Sequence, residues 1–559
     1  MTLRFQQRFI LESMMMQNKM KHILFAVLVM FAACMYAQQK EALALSEYRY
    51  DDATQLWRLT DNAAGLGIDT TRNRGFAQVG YYHHSGDYTR VQEGTRSNQF
   101  RLETERYQKV GKYLYGYGRF EFDYGRVNNR AWSDVRRSYN SNPYFSGSAI
   151  VGKYDFQDFN FTAALGSAAV GRWHFGMKLD YNVGDLSRLR DPRPRSLLLD
   201  YKVTPAVTYS FGRNTIGLSG NYHRRKEKIS GVKNIQTNAN ITYYNMTGLE
   251  HAAGNVSGYD GYQREWVDHR FGAELTYSHK AEKYNLMFGA NIERGSENIY
   301  GQYKKEEGKY VDYKYGFSIL NRIKTDGGLL HEIDFKLGYE QSYADEYRQE
   351  FKSENNDEMQ SKTYSYEKRN ADGTIEVLDS TITKTYPSTS QYYVTQMIMK
   401  KRFQVKVFNT DFHYRLNFTE EGRVKKYVAV RFTSYDAKNN YLLPESSLHY
   451  DGYNLSFESG TELLKKRLWI DGGFMMHFNG TAALDLNDPT TDYAVGVLIP
   501  DMEYYRANYV KGSLGVTYQF PITFKKKQTM WYVRANGDWL RTNSNLHASS
   551  FGVTLGMFN

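Results

Sequence analysis

Gly171-Arg-Trp-His-Phe-Gly-Met-Lys-Leu-Asp-Tyr-Asn-Val-Gly184 decides how the rest of the chain is read. Trp173, Phe175, Met177, Leu179, Tyr181 and Val183 share one parity; His174, Gly176, Lys178, Asp180 and Asn182 share the other. Successive side chains of an extended strand point to opposite faces, so this stretch is a strand with one oily side and one polar, partly charged side. A soluble sandwich can contain one such strand. Here the pattern returns along nearly the whole chain, which makes it the stave of a closed barrel in a membrane.

Working outward, the same alternation appears in Leu114, Phe120, Phe122 and Tyr124 opposite Arg119, Glu121 and Asp123. It recurs in Leu199, Tyr201, Val203, Val207, Tyr209 and Phe211, with Asp200, Lys202, Thr204 and Thr208 behind them. It continues through Phe271 to Tyr277, Tyr284 to Ile292, Phe408 to Phe418 and Val510 to Phe520, and ends at Phe551, Val553, Leu555 and Met557. The tally is about 18 strands, bounded by roughly 14 and 20, an even number as a single-chain bacterial barrel requires. The expected fold is therefore all-β, a closed antiparallel transmembrane barrel over residues 76–559. Hydrocarbon satisfies no backbone N–H or C=O, so the first strand must pair with the last and leave no open edge.

Composition agrees with a barrel. Aromatic residues make up 16% of the chain, with Tyr at 49, Pro at 9 and mean hydropathy at −0.66. The negative average is compatible with a membrane, because a barrel strand offers lipid only every second side chain. No segment after the N-terminus reaches the roughly 18 apolar residues of a membrane helix.

At the N-terminus, Lys19 and Lys21 precede the apolar run Ile23 to Ala33, and Cys34-Met-Tyr-Ala37 leads into Gln38-Gln39-Lys40. This is a secretory signal peptide over residues 1–37, with translation starting at Met1 or Met20. Ala32-Ala33-Cys34 also has the outline of a lipoprotein site, with Phe31 where a small aliphatic residue is usual. Cleavage after Ala37 would discard Cys34, the single cysteine, and leave no disulfide or thiolate metal site. It would also lower the net charge from +11 to +8. For a secreted chain that excess suits outer-membrane lipids and lipopolysaccharide and excludes nucleic acid.

Residues 38–75 precede the alternation and form a candidate plug. They contain Leu56-Trp57-Arg58-Leu59 and Asp61-Asn-Ala-Ala-Gly-Leu66. The second run resembles the Asn-Pro-Ala-Gly-Leu-like motif closing the N-terminal hatch of FadL-type outer-membrane channels for hydrophobic compounds, with Ala63 in the proline position. A hatch in the lumen is what the resemblance implies, with Trp57, Asn62 and Gly65 as candidate plug residues; a generic capped turn reads the same residues equally well. The whole chain is similar to uncharacterised outer-membrane barrels of Bacteroidota, which implies a location in a Gram-negative envelope and no reaction. The segment is too short for the large plug of an energised receptor, and no TonB box is visible.

Short links such as Lys109 to Lys112, Lys280 to Lys283 and Lys465 to Arg467 belong to the periplasm, and the long links 126–157, 226–268, 341–400 and 480–505 to the outside. Arg369-Asn-Ala-Asp-Gly373 predicts a hairpin projecting from the third long link. The aromatic C-terminal strand, ending Phe558-Asn559, is what barrel assembly machinery reads.

No catalytic motif is present: there is no Gly-x-Ser-x-Gly, His-Glu-x-x-His or phosphate loop. No enzyme activity, cofactor or metal is expected. His83 and His84 are adjacent, so a strand points them apart. Candidate lumen residues are Arg119, Glu121, Asp123, His174, Lys178, Asp180, Asp200 and Lys202, as pore lining or as cross-strand salt bridges. Arg188, Arg190, Arg193 and Arg195, with His223, Arg224, Arg225 and Lys226 two strands later, form a candidate basic loop patch for lipid A phosphates, anionic polysaccharide or an acidic partner. The expected function is passage of a small solute. The alternatives are a non-conducting barrel associated with other outer-membrane transport subunits, and an outer-membrane enzyme.

Overall fold

The computed structural model describes residues 43–69, 73–136, 142–235, 241–257, 262–354, 360–384, 391–524 and 527–558. The expected signal peptide, with Met20 and Cys34, lies outside the described residues, as does Asn559. The first strands are β1 (Arg74–Gly86), β2 (Arg96–Val110), β3 (Leu114–Arg130), β4 (Phe145–Gly147), β5 (Gly152–Ser167), β6 (Trp173–Arg188), β7 (Arg195–Phe211) and β8 (Asn214–Val232). Then come β9 (Ile241–Gly248), β10 (His251–Ser257), β11 (Tyr262–Lys280), β12 (Tyr284–Tyr300), β13 (Glu306–Lys324), β14 (Leu329–Glu354), β15 (Gln360–Arg369) and β16 (Ile375–Lys384). The last are β17 (Gln391–Glu420), β18 (Arg423–Leu442), β19 (Glu445–Leu463), β20 (Leu468–Asp485), β21 (Tyr509–Phe524), β22 (Lys527–Thr542) and β23 (His547–Phe558).

Setting aside β4, β9, β10, β15 and β16, the strands pair with their chain neighbours in one antiparallel ring of 18. The ring closes where β1 meets β23, with Val79 opposite Leu555 and Tyr82 opposite Gly552. That pairing removes both sheet edges. β15 and β16 form the hairpin expected around residues 369–373, and β4, β9 and β10 make a small separate sheet.

The outer wall is the oily parity of every stave. On β6, Trp173, Phe175 and Met177 are 47%, 52% and 54% exposed, while His174 between them is buried. Phe271, Leu275, Phe317, Phe408, Phe474, Leu514 and Phe551 repeat this outward exposure around the ring. A soluble protein does not present such a band to water; it is the lipid-facing surface of a transmembrane barrel. No helix is long and apolar enough to cross a membrane, and the crossing is made by strands.

Several strands are longer than the alternation predicts: β14 spans 26 residues and β17 spans 30. The ladder continues above the apolar band, where outward positions turn polar and the period-2 signal fades. Eight tight connections lie at one end with Arg74 and Phe558, including the two-residue turn Gly212-Arg213 between β7 and β8, where Gly212 takes φ +62°. The long links lie at the other end.

Candidate functional site

The lumen is occupied from both ends. At the short-turn end, residues 43–69 lie inside the ring. Helix α1 (Leu45–Thr54) is followed by two single helical turns, Trp57–Leu59 and Ala63–Gly67. Asn62 caps the second turn, accepting from Ala64 N at 3.1 Å and donating to Val207 O at 3.4 Å. Trp57 and Leu56 bury against Met287 and Leu320 on the inward faces of β12 and β13. A Cβ on Gly65 would stand 2.6 Å from Trp57, and one on Gly176 of β6 would stand 2.1 Å from Ala64 N. Glycine at 65 lets the segment fold back onto Trp57, and glycine at 176 lets it lie against the wall.

Charged groups hold this segment on opposite sides of the ring. Asp61 accepts from Lys178 Nζ at 2.7 Å and Lys202 Nζ at 2.6 Å, on β6 and β7. Nine staves round from β7, Arg49 donates to Asp471 of β20 at 2.8 Å and lies over the Trp469 ring. Glu47 accepts from Lys466 at 3.0 Å, Arg322 donates to Ala53 O at 2.8 Å, and Lys324 donates to Tyr50 OH at 2.9 Å. Burial by itself raises the Asp61 carboxyl, but the charges and hydrogen bonds of Lys178 and Lys202 overcome it and hold the group down at about 2. Asp69, sealed at the end of the segment, is pushed up by burial to about 7, against the pull of Lys280 and the Arg58 backbone N–H.

Above the segment the wall carries the mixed charges. Arg119 pairs with Glu103 at 2.8 Å and Glu121 at 3.1 Å, and Asp123 accepts from Arg101 at 2.7 Å. Asp180 accepts from Thr162 at 2.8 Å. The sequence placed Lys178 beside Asp180 and Asp200 beside Lys202. Lys178 does reach Asp180, at 3.3 Å, but Asp200 instead pairs with His223 at 2.6 Å and Lys202 turns to Asp61. Inward-facing Arg119, Arg431 and Arg534 stay 44%, 48% and 44% exposed, so the central lumen is wet.

At the long-loop end the inward faces turn apolar. The β3–β5 link, the β9–β10 hairpin and the β20–β21 link, which carries helix α2 (Ile499–Arg506), fold into the ring. Trp132, Tyr144, Tyr243, Met246, Tyr493, Val497 and Met502 pack there against Ile229, Trp266, Ile299, Phe403 and Tyr441 of the wall. Trp132 meets Tyr244 at 4.9 Å between centroids and Tyr493 edge-on at 5.5 Å. Between this core and the inward faces of β14 and β17–β19 lies a cavity of about 470 Å³, lined by Tyr435, Tyr450, Tyr505, Phe145, Leu448 and Leu498 with Arg90, Gln92 and Asn439. That volume and mostly apolar lining fit a small molecule.

The expected basic loop patch is not one surface. Arg188 is buried, donating to Tyr154 OH at 3.1 Å and Ser148 Oγ at 3.2 Å. Arg193 is taken by Asp191 at 2.9 Å and Arg195 by Asp185 at 2.6 Å, leaving Arg190 exposed. Strand alternation then divides the second half of the patch. His223 and Arg225 face the lumen on Asp200 and Glu227, whereas Arg224 and Lys226 face outward. Residues 223–226 belong to a continuing strand, not a loop, and that is the physical reason for the split.

Asp61, Arg49 and the loop-end core were not singled out from the sequence. The alternation shows which residues face inward, but a single carboxylate in a non-repeating segment carries no mark of the two lysines it meets. Among the described residues no three His, Cys, Asp or Glu side chains converge to hold a metal ion.

Fold and site together define a class: a transmembrane β-barrel whose lumen is filled by its own N-terminal segment and inward-folded loops. The chain belongs to the family of unknown function (DUF6850), matched over residues 63–559. No curated protein matches it in sequence. Among solved structures it is similar to the FrpB iron transporter of Neisseria meningitidis in its F5-1 variant apoprotein form, at 11% identity over 89% of this chain and 83% of that one, TM-score 0.36. It is also similar to the outer membrane transporter YddB of Escherichia coli, at 7% identity over 86% and 80% of the two chains, TM-score 0.39. A third is a deletion mutant of the monoaromatic hydrocarbon channel TodX, at 9% identity over 89% and 93%, TM-score 0.30.

Proposed function

We propose that the protein is an outer-membrane transporter for a small, largely apolar solute, with residues 43–69 as the gate at the periplasmic end. The carrying observation is how that segment is held. Asp61, Glu47 and Arg49 reach the wall through ion pairs that remain partly solvated. Each such pair contributes about 0–1 kcal/mol, so water can replace them one at a time as the segment moves. The apolar part of the seat is divided into small clusters, such as Leu56 and Trp57 on Met287 and Leu320 or Tyr48 on Tyr532 and Phe558, and does not form one continuous core. The short turns and both ends of the ring face the periplasm on this reading, and the long loops face outward. The cavity beside Tyr435, Tyr450 and Tyr505 supports the solute class: rings and aliphatic groups with a few hydrogen-bonding partners select an apolar molecule with one or two polar groups.

Planar-bilayer conductance of the purified protein tests the gate. Wild type should be nearly silent. Asp61→Lys, which sets a third cation against Lys178 and Lys202, should raise conductance at least about tenfold, the effect of ~1.4 kcal/mol on the closed state. Deleting residues 43–69 should raise it further. Silence in all three forms overturns the transport reading.

The apolar core at the long-loop end favours a second reading, a non-conducting barrel in an outer-membrane uptake or export assembly. Silence in all three forms together with recovery of a stoichiometric partner from native membranes under mild detergent would support it.

A further inference from the structure

On the outer wall of β8 three successive outward positions are cations: Arg224, Lys226 and Lys228 share the parity of the lipid-facing Ile216 and Leu218. Every second residue of a strand is about 6.7 Å further along, so the three charges form a column rising directly from the apolar band. The column stands beside aromatic rings. Arg224 lies opposite Tyr201 on β7 and His269 on β11, and Tyr222 just below it packs on Phe271 at 5.2 Å. Arg294 extends the positive surface from β12, opposite Phe271.

Elsewhere at this height outward arginines are neutralised by neighbours, Arg126 by Asp155 and Arg195 by Asp185, both at 2.6 Å. In the column the one carboxylate is Glu265, already shared by Lys226 at 3.2 Å and Lys304 at 2.6 Å. Lys228 stands opposite that same Glu265 in the ladder, yet among the described residues no ion pair within 4.0 Å joins Arg224 or Lys228 to a carboxylate, and Arg224 Nε is shielded from water without a hydrogen-bond acceptor. A guanidinium and two ammonium groups above an aromatic step, at the upper border of the apolar band, match a lipid that carries phosphates on a sugar headgroup and acyl chains below.

We infer that the β8 column is a docking site for the diphosphorylated glycolipid of the outer leaflet, lipid A, with its phosphates on Arg224 and Lys228 and its acyl chains along Tyr222, Leu218 and Phe271. This rests on the outer-membrane reading and differs from the loop patch read from the sequence, because the cations belong to one face of one strand. The ligand is held laterally, outside the lumen, and its recognition is independent of transport.

The test uses the full-length protein in detergent, with diphosphoryl lipid A and the same lipid stripped of its phosphates as probes. Wild type should retain the first and release the second. Arg224→Ser/Lys226→Ser/Lys228→Ser should retain diphosphoryl lipid A about a hundredfold more weakly, each surface cation contributing about fivefold. Arg126→Ser on the opposite-charge pair should change nothing. If the triple variant fails to fold, Lys228→Ser alone should still lose about fivefold. Unchanged retention in the variants, equal retention of the stripped lipid, or displacement of lipid A by inorganic phosphate at equal concentration each overturns the site. Failure of wild type to insert into lipid vesicles would instead overturn the membrane reading itself, so the two failures are distinguishable.

Discussion

At the short-turn end, residues 43–69 meet the barrel wall through the ion pairs of Asp61, Arg49 and Glu47 and small apolar clusters such as Leu56 and Trp57 on Met287 and Leu320, whereas at the long-loop end Trp132, Tyr243, Tyr493 and Met502 belong to one large core of rings and methyl groups. Both fill the same lumen, against the same kind of strand. The difference lies in what the inward parity offers: lysines, arginines and carboxylates interspersed with single apolar residues such as Met287 and Leu320 on one end, a continuous set including Ile229, Trp266, Phe403 and Tyr441 on the other. Solvated ion pairs exchange for water at little cost. An apolar core loses about 25 cal/mol for each Å² it re-exposes. The contrast teaches that filling a lumen and fixing it shut are separate physical tasks, and the end held by solvated ion pairs is the one proposed above to move.

The largest expected effect comes from attacking the apolar end. Trp132 is 4% exposed, accepts at its carbonyl oxygen from Gln92 Nε2 at 3.2 Å, and leaves no room for a side chain at Gly496. Trp132→Ala should destabilise the folded loops by ~3–5 kcal/mol. Proteolysis of the loops in intact vesicles would read it. Bilayer conductance should change far less than with Asp61→Lys. If Trp132→Ala opened the barrel as much as the charge reversal, the movable end would have been misassigned.

The second effect sharpens the polar end without altering its charges. Gly176→Val keeps a good strand former on β6 but drives a Cβ into the backbone of Ala63 and Ala64. Overpacking of this kind costs ~1–3 kcal/mol, and here it falls on the seat of the segment while the barrel ladder is preserved. A fluorophore on Thr60→Cys should report a wetter environment in Gly176→Val than in wild type. An unchanged spectrum, with the barrel folded, would show that the segment does not depend on this contact.

How much of this was legible from sequence follows from periodicity. Each barrel stave repeats with period 2, so Trp173 to Val183 announces its outward face, its inward face and its strand state at once, and all 18 staves of the ring fall on stretches that alternate. The same logic places Arg119, Lys178 and Asp200 inward. It fails at two places. Above the apolar band, β8 continues through His223-Arg-Arg-Lys226 without the oily parity that marks a strand, so the run looks like loop charge. In the segments that fill the lumen there is no period to read. Asp61 finds Lys178 and Lys202, and Trp132 finds Tyr493, across separations of more than a hundred residues, through folding that local pattern does not encode.

The smallest effect is a pH slope, and its sign separates two carboxylates in the same segment. Asp69, pushed up by burial to about 7, would titrate near 3.9 if the segment were released into water. Between roughly pH 4 and pH 7 the seated segment therefore holds a proton that the released one has lost, and seating weakens as pH rises through that window, by about 1 kcal/mol per unit. Asp61 works the other way. Lys178 and Lys202 hold it at about 2, so its contribution is complete above roughly pH 4 and is lost only as pH falls toward 2. Near neutrality Asp61 is level, and of these two carboxylates only Asp69 supplies a slope. The Thr60→Cys fluorophore should become wetter from about pH 5 to about pH 7 in wild type. Asp69→Asn should remove its share of the slope, because an amide has no proton to lose, while Asp61→Asn should make the label wetter at every pH and leave the slope in place. A slope that survives Asp69→Asn would assign the titration to another group, and one that runs the opposite way would mean that the segment seats through ionised Asp69 after all.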